Sequence, residues 1–459
     1  MTTPTTPLTI QHPAAAGIDI HSDMHMVCVP PERCPPTPVT PGQLPAHVRR
    51  FGANTCDLEA LARWLRECRI TTVAIESTGV YWIPLFELLE AQGFDVWLVE
   101  AGQLSRCGAR PKTDVLDAQW IQRLHSYGLL ERSFRPPESV LALRAYHRQR
   151  QMLVRYAASH TNHMQKALEQ MNVKLTEVVS DITGLTGQRI ITAILDGERD
   201  PRVLASYRDV KCKQEAEAFA KALQGTWRPE HLLALRQAHA LYQFHHQLMQ
   251  QCDDALATEL ARLPRRATTE PPTVKPKRCG RKPNDLTFAA TTLLFEALGV
   301  DLTAIEGIDV RTALVILAEI GVDVSRFPTE KHFASWLGLC PRQHESNRTI
   351  KKRGPRPGKN RVAIALRQAA QVLGRTQTPL GAFYRRMKSR LGGVGAVTAT
   401  AHKLARLVYH MLKHGTAYVM QGMAEYEAKL RAQMERQVRA KAAQLGYELH
   451  PLPATNKAG

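Results

Sequence analysis

Five short strand-like runs, at 15–20, 24–29, 48–53, 72–75 and 95–99, are what most limits how this chain folds. Runs this short, bounded by polar and turn-forming residues, are read as strands rather than helices. Segments with three-and-four apolar spacing, at 57–68, 81–92 and 114–126, lie among them and are read as helices. Strands that give way to strand–helix alternation call for a mixed α/β layer. The Pro-rich stretch 30–45 interrupts this layer as a loop, at the tip of an extended hairpin.

Four carboxylates fall at the edges of these elements. Asp19 lies in the apolar run Ala-Gly-Ile-Asp-Ile-His, and Glu76 ends Thr-Thr-Val-Ala-Ile-Glu before a Ser-Thr-Gly turn. Asp114 and Asp117 open a helix after the cap Thr113, and their i, i+3 spacing puts both on one face. Three early strands, then alternation, is the order of a ribonuclease-H-like layer, which sets its acids at adjacent strand ends and on a late helix. Carboxylates so placed can converge on hard cations, and Mg²⁺ takes oxygen ligands. A pair of such ions is the usual apparatus for breaking phosphodiester bonds. A plainer reading stands beside this one: acids in a helix's first turn complement its dipole, and a strand-end acid is often a solvated surface group.

From about Ser139 the pattern turns helical. Leu153, Ala157, Met164 and Leu168 recur at helical spacing, as do Leu235, Tyr242, Met249 and Leu256. Two long helices of this kind predict an antiparallel hairpin or an oligomerisation stalk, with the interspersed histidines as polar members of the seam. A Pro-, Lys- and Arg-rich linker follows. Farther on, Gly307 before a helix and Gly321 after it read either as a helix-hairpin-helix, whose amides grip phosphate, or as a packing pair. Ser346 lies in a basic loop after Trp336-Leu-Gly-Leu-Cys-Pro. Such a serine is either a turn residue or a nucleophile activated by nearby cations. Segments 362–373 and 396–413 read as amphipathic helices over that loop, and 424–446 as a charged terminal helix.

Lys plus Arg outnumber Asp plus Glu by 61 to 42, a formal charge of +19. Such an excess points to a polyanionic partner. Eight basic residues and one acid lie between Arg262 and Lys282, and ten and one between Arg342 and Arg375. Such runs favour nucleic acid over a merely solvated face. The sequence has no apolar run of membrane-spanning length, and its N-terminus lacks the basic and apolar regions of a secretory signal. Nine cysteines without a CxxC pair indicate neither a disulfide framework nor a zinc ribbon. A reducing prokaryotic cytoplasm, at the nucleoid, is the expected compartment.

Gly-Ile-Asp-Ile-His (17–21), Ala-Ile-Glu-Ser-Thr-Gly-Val-Tyr-Trp (74–82) and Lys-Thr-Asp-Val-Leu-Asp-Ala (112–118) together resemble the DEDD transposases of insertion sequences, the IS-one-ten type related to the Piv DNA invertase. Leu-Gly-Leu-Cys-Pro-Arg-Gln-His-Glu-Ser (337–346) and Lys-Lys-Arg-Gly (351–354) resemble that family's second domain. The resemblance implies an RuvC-like catalytic domain over 1–130, a helical coiled-coil domain over 131–263, a basic linker over 264–286, a mainly α transposase domain over 287–420, and a charged helix and tail over 421–459. It also implies Asp19, Glu76, Asp114 and Asp117 as ligands of two Mg²⁺ ions and Ser346 as covalent nucleophile. Arg342, Arg348, Lys351, Lys352, Arg353 and Lys112 become nucleic-acid contacts. The implied partners are donor and target double-stranded DNA, a bridge RNA that pairs with both, and further copies of the chain as a homodimer or homotetramer. The long helical seam is then the dimerisation element, and one protomer's acids work with another's serine. Asn347 stands where the family usually has Gly, although Asn also tolerates left-handed backbone. The expected activity is transposition through a phosphoserine intermediate. Two readings compete with it: a Mg²⁺-dependent junction endonuclease that hydrolyses with water, and a non-catalytic nucleic-acid scaffold.

Overall fold

The computed structural model of this chain describes residues 9–34, 43–77, 79–106, 113–272, 282–346, 349–355 and 360–448. They form two compact units, Met1–Arg135 and Pro136–Gly459.

The first unit is a sheet of β1 (Ala15–Ile20), β2 (Met24–Cys28), β3 (Val48–Gly52), β4 (Thr72–Glu76) and β5 (Asp95–Val99). Four helices accompany it: α1 (Thr55–Glu67), α2 (Trp82–Ala91), α3 (Ala101–Arg106) and α4 (Asp114–Ser126). The strand order is β3-β2-β1-β4-β5. β1 pairs antiparallel with β2 and parallel with β4. The mixed α/β layer expected from the sequence is present, consistent with an RuvC-like start. β1 and β2 are joined by a three-residue turn and β2 and β3 by residues 29–47, connections that let these strands alternate in direction, whereas the parallel pairs need the crossovers that α1 and α2 supply.

Strand alternation then decides which residues face which helix. Ile18, Ile20, Val73, Ile75, Val96 and Leu98 share one core with Leu58, Leu61 and Leu65 of α1 and Leu85, Phe86 and Leu89 of α2. The opposite face carries Met26, Cys28 and Ala74, packed under Ala118, Ile121 and Leu124 of α4. Full burial of Ile121 or Leu124 contributes about 1.5–3 kcal/mol each. Gly17, Asp19 and Glu76 lie on this α4 face by the same alternation.

The second unit is mainly helical. α5 (Glu138–Gln170) is followed by the short α6 (Leu175–Val178), α7 (Leu185–Leu195), α8 (Pro201–Ser206) and α9 (Ala216–Ala222), and then by α10 (Pro229–Arg262). Arg150 meets Asp253 and Tyr156 meets His245, so α5 and α10 run antiparallel, as the seam predicts. The four helices between them fall within the stretch read as helical but were not placed one by one. They extend the seam's core at one end, where Ile190, Ile194, Leu204 and Phe219 join Leu168 and Leu235. Beyond come α11 (Ala290–Leu298), α12 (Val310–Ile320), α13 (Glu330–Trp336), β6 (Pro341–Ser346), β7 (Thr349–Pro355), α14 (Arg361–Leu373), α15 (Pro379–His414) and α16 (Thr416–Gln444). The expected helix at 396–413 is the second half of α15, which is broken at Gly392 by a φ of 72°. Leu143 and Leu260 tie the base of the α5–α10 pair to the core of α12, α14 and α15. No helix among the described residues is long and apolar enough to cross a membrane.

Candidate active site

The acids of the first unit are brought together by one close approach. A Cβ on Gly17 would stand 2.1 Å from the Gln122 amide nitrogen and 2.6 Å from the Ala118 carbonyl oxygen. Only glycine lets the backbone of α4 lie this close to β1. Asp19 lies two residues farther along the same face of β1, and Asp114 lies one helical turn before Ala118 on the same side of α4. The helix is held at its other end by a hydrogen bond between His125 and the Thr72 hydroxyl, 2.9 Å. Burial holds the His125 pKa down at about 4, so the ring is neutral there. Thr113 caps α4 by accepting the Leu116 amide. This leaves the first turn, with Asp114 and Asp117, above the end of β1.

Asp19 is 7 % exposed. Burial raises its pKa, and the nearby charges of Asp117 and Asp114 push the same way; His21 opposes them. His21 Nε2 is 3.2 Å from Asp19 Oδ2 and 3.5 Å from Asp114 Oδ1. One donor atom from each of Asp19, His21 and Asp114 lies within 4.8 Å of the others. Glu76 is the last residue of β4, opposite Val99. The β1–β4 register pairs Ile18 with Ile75, so the next step sets Asp19 beside Glu76 on neighbouring strands. Thus Asp19 and Asp114 come within 4.8 Å of each other with His21 reaching both, Asp117 acts on Asp19 through its charge, and Glu76 adjoins from the next strand.

His21 went unnoticed in the sequence. The available signal was its Asp-x-His spacing, which puts both side chains on one strand face. Two oxygens and an imidazole nitrogen are a reasonable donor set for a divalent cation, so the residues present fit the metal centre that the motifs call for.

The basic loop expected around Ser346 is instead a hairpin of β6 and β7, a correction to the sequence reading. Ser346 ends β6 and pairs with Thr349, with an irregularity between His344 and Glu345. Arg342 lies on β6, and Lys351, Lys352 and Arg353 lie on β7. The segment lacks apolar alternation, so its pairing leaves no period to read. Lys112, Asn347 and Arg348 lie outside the described residues. At Gly307, φ is +86° and a Cβ would stand 2.9 Å from Leu373, so the turn packs tightly on α14. The Asp309 carboxylate accepts the Thr312 amide at the start of α12. That amide is therefore already engaged.

Two polar clusters in the second unit were also not foreseen. Buried Glu319 of α12 accepts hydrogen bonds from Arg144 and Arg148, and Arg361 adjoins it at 3.6 Å. Buried Arg150 and Asp253 pair at 2.5 Å across α5 and α10. Arg150, Arg155, Arg311 and Arg361 line a cleft of about 690 Å³ between α5, α12 and α14.

Residues 16–173 match a family of DEDD transposases of the IS110 type, and residues 301–385 match the transposase IS116/IS110/IS902 family. The chain is also similar to an insertion element IS110 uncharacterized 43.6 kDa protein of Streptomyces coelicolor, 31% identical over 119 residues, which is 26% of this chain and 29% of that protein. A probable family 20 transposase of Pseudomonas aeruginosa is 29% identical over 122 residues, 26% of this chain and 36% of that protein. The matched part of the chain thus spans about a third of each relative's length. One match takes in the strand that bears Asp19 and the other the hairpin strand that ends at Ser346, so two segments of the chain, in that order, match transposase domains of the IS110 family.

Proposed function

We propose that this protein is the transposase of an insertion sequence, a site-specific recombinase that cuts and rejoins DNA strands through a phosphoserine intermediate and is guided by a bridge RNA. One observation carries the reading: Asp19, His21 and Asp114 converge where the first turn of α4 meets β1, in a chain that matches both family domains. Asp19, Glu76, Asp114 and Asp117 would hold divalent cations, taken as a pair of Mg²⁺ ions on the strength of the oxygen donors. When bound, such ions supply positive charge to the phosphoryl oxygens and the leaving oxygen.

The chain's own residues do the rest. Burial of Asp19 under α4 keeps bulk water from one side of the site, so charge there acts in a medium less polar than solvent. The Ser346 hydroxyl attacks a backbone phosphorus and the bond to the leaving sugar oxygen breaks. The serine's proton passes to the leaving oxygen, and the serine ester conserves the energy of the broken bond until a second strand's hydroxyl displaces the serine. Arg342, Arg348, Lys351, Lys352, Arg353 and Lys112 contact phosphates, which position the strands without reading their sequence. Sequence choice rests on pairing between RNA and DNA. The α5–α10 pair serves as the dimerisation element, and one protomer's acids act with another's serine.

The test incubates end-labelled donor DNA with the protein and any RNA that copurifies with it, and separates the products on a denaturing gel. The proposal expects DNA covalently attached to protein, lost in Ser346→Ala while RNA binding persists. Free cleaved ends without an adduct indicate hydrolysis by water, and an adduct that survives in Ser346→Ala removes the serine from its role. Sequencing the copurified RNA should return a discrete species with segments complementary to both DNAs; heterogeneous cellular RNA would remove the guide.

A further inference from the structure

We infer that His21 is a nitrogen ligand of the cation held at Asp19 and Asp114, and that it turns this centre away from Mg²⁺ toward first-row transition ions such as Mn²⁺. The inference deepens the proposed function and rests on its reading of these acids as a cation site.

Position comes first. The His21 amide donates to the Met24 carbonyl oxygen at 3.0 Å, which continues the β1–β2 pairing one residue past β1. Asp19 and His21 therefore keep the two-residue strand spacing and project to the same face. That face is the one α4 covers, and Asp114 descends on it from the first turn.

Spacing comes second. Bonds of about 2.0–2.1 Å set neighbouring ligands about 3.0 Å apart around an octahedral ion, and somewhat wider around a tetrahedral one. Nε2 stands 3.2 Å from Asp19 Oδ2 and 3.5 Å from Asp114 Oδ1. Both separations from Nε2 thus match edge lengths of one coordination shell, and the two carboxylate oxygens lie within 4.8 Å of each other. Access is open as well, since the side chains of His21 and Asp114 are 38% and 48% exposed while that of Asp19, beneath them, is 10% exposed.

Donor chemistry comes third. The imidazole offers a lone pair at Nε2 when its proton sits on Nδ1. Mg²⁺ takes oxygen ligands and gives up its waters reluctantly, whereas imidazole suits transition ions. A site of carboxylates alone favours the former. Adding one imidazole favours the latter.

The experiment uses the full chain and Mn²⁺ alone as probe. Pulsed electron paramagnetic resonance detects a nitrogen bound directly to Mn²⁺, and growth on ¹⁵N-histidine changes that signature in the unmutated protein. The inference expects nitrogen coupling that follows the label and disappears in His21→Ala. It also expects Mn²⁺ affinity to fall about tenfold or more in that variant, with a much smaller loss for Mg²⁺. Mn²⁺ binding that Asp19→Asn weakens, but without nitrogen coupling or with coupling unchanged in His21→Ala, overturns the ligand role and leaves the acidic site standing. Mn²⁺ binding unaffected by Asp19→Asn overturns the acidic site, and His21 with it. Should His21→Ala fail to fold, His21→Asn, which keeps a polar side chain of similar size but no imidazole, answers the same question by the loss or persistence of the labelled coupling.

Discussion

The contact at Gly17 makes a sharp prediction, because the atoms a side chain there would meet are all backbone of α4. A Cβ there stands 2.1 Å from the Gln122 nitrogen, and ordinary contact begins at 3.4 Å, so in Gly17→Ala the helix must retreat by about 1.3 Å. Neither the Gln122 amide nor the Ala118 carbonyl can rotate aside as a side chain would. Overpacking of this kind costs typically 1–3 kcal/mol, and the backbone contact places this case at about 3 kcal/mol. For a unit of this size that lowers the melting midpoint by roughly 10 °C. Because α4 also carries Asp114 and Asp117, the same shift spreads the donor atoms. A displacement of about 1 Å at a reacting centre costs on the order of 100-fold in rate. Calorimetry reads the first quantity, and formation of the protein–DNA adduct reads the second. Gly102→Ala, whose Cβ would come no closer than 3.9 Å to the Glu100 side chain, is the control in the same unit. A Gly17→Ala protein that melts within a degree or two of the unmutated chain and keeps its adduct yield would show that α4 does not rest on Gly17.

Other outcomes follow from the buried charges. Burial first, then Asp117 and Asp114, raise the Asp19 pKa above 3.8 in the metal-free fold. Asp19→Asn should therefore raise the melting midpoint at pH 7 in chelator, and the gap should close as the pH falls through the raised value toward 3.8; a lower midpoint for the variant contradicts this. Arg150→Ala leaves Asp253 buried with, among the described residues, only the Thr287 amide as hydrogen-bond donor, which should cost about 3–5 kcal/mol by urea unfolding. A paired Arg150→Met, Asp253→Leu replacement should cost less, and a loss under 1 kcal/mol for Arg150→Ala would refute the role given to the pair. Burial opposes ionisation of Glu319, but hydrogen bonds from Arg148 and the charges of Arg144, Arg148 and Arg361 outweigh it and depress its pKa below 4.5. Stability from this group is present above 4.5 and lost as the pH falls through the depressed value. The deficit of Glu319→Gln should shrink over that range, and a pH-independent deficit would contradict the assignment.

How far the fold was legible differs from element to element. β1 and β5 begin and end where their apolar runs do, and α4 starts where Thr113 caps it, because each signal is local. Seam residues marked α5 and α10 for the same reason. The hairpin of β6 and β7 was not legible, since its backbone pairing holds polar residues that give no period. The helices between α5 and α10 are too short for a turn-by-turn pattern to stand out. Within the site, Asp19, Glu76, Asp114 and Asp117 could be picked out by their places at strand ends and a helix start. Ser346 stood out through family resemblance alone. His21 escaped because its role depends on α4 closing over β1, a long-range consequence of Gly17 that no local window contains.

Asp19 of β1 and Asp114 of α4 are proposed to hold a divalent cation between them. Anomalous diffraction from crystals soaked in Mn²⁺ tests it directly. A Mn²⁺ peak within bonding distance of both carboxylates is the expected result. A bound ion elsewhere, with these two carboxylates touching none, would contradict it.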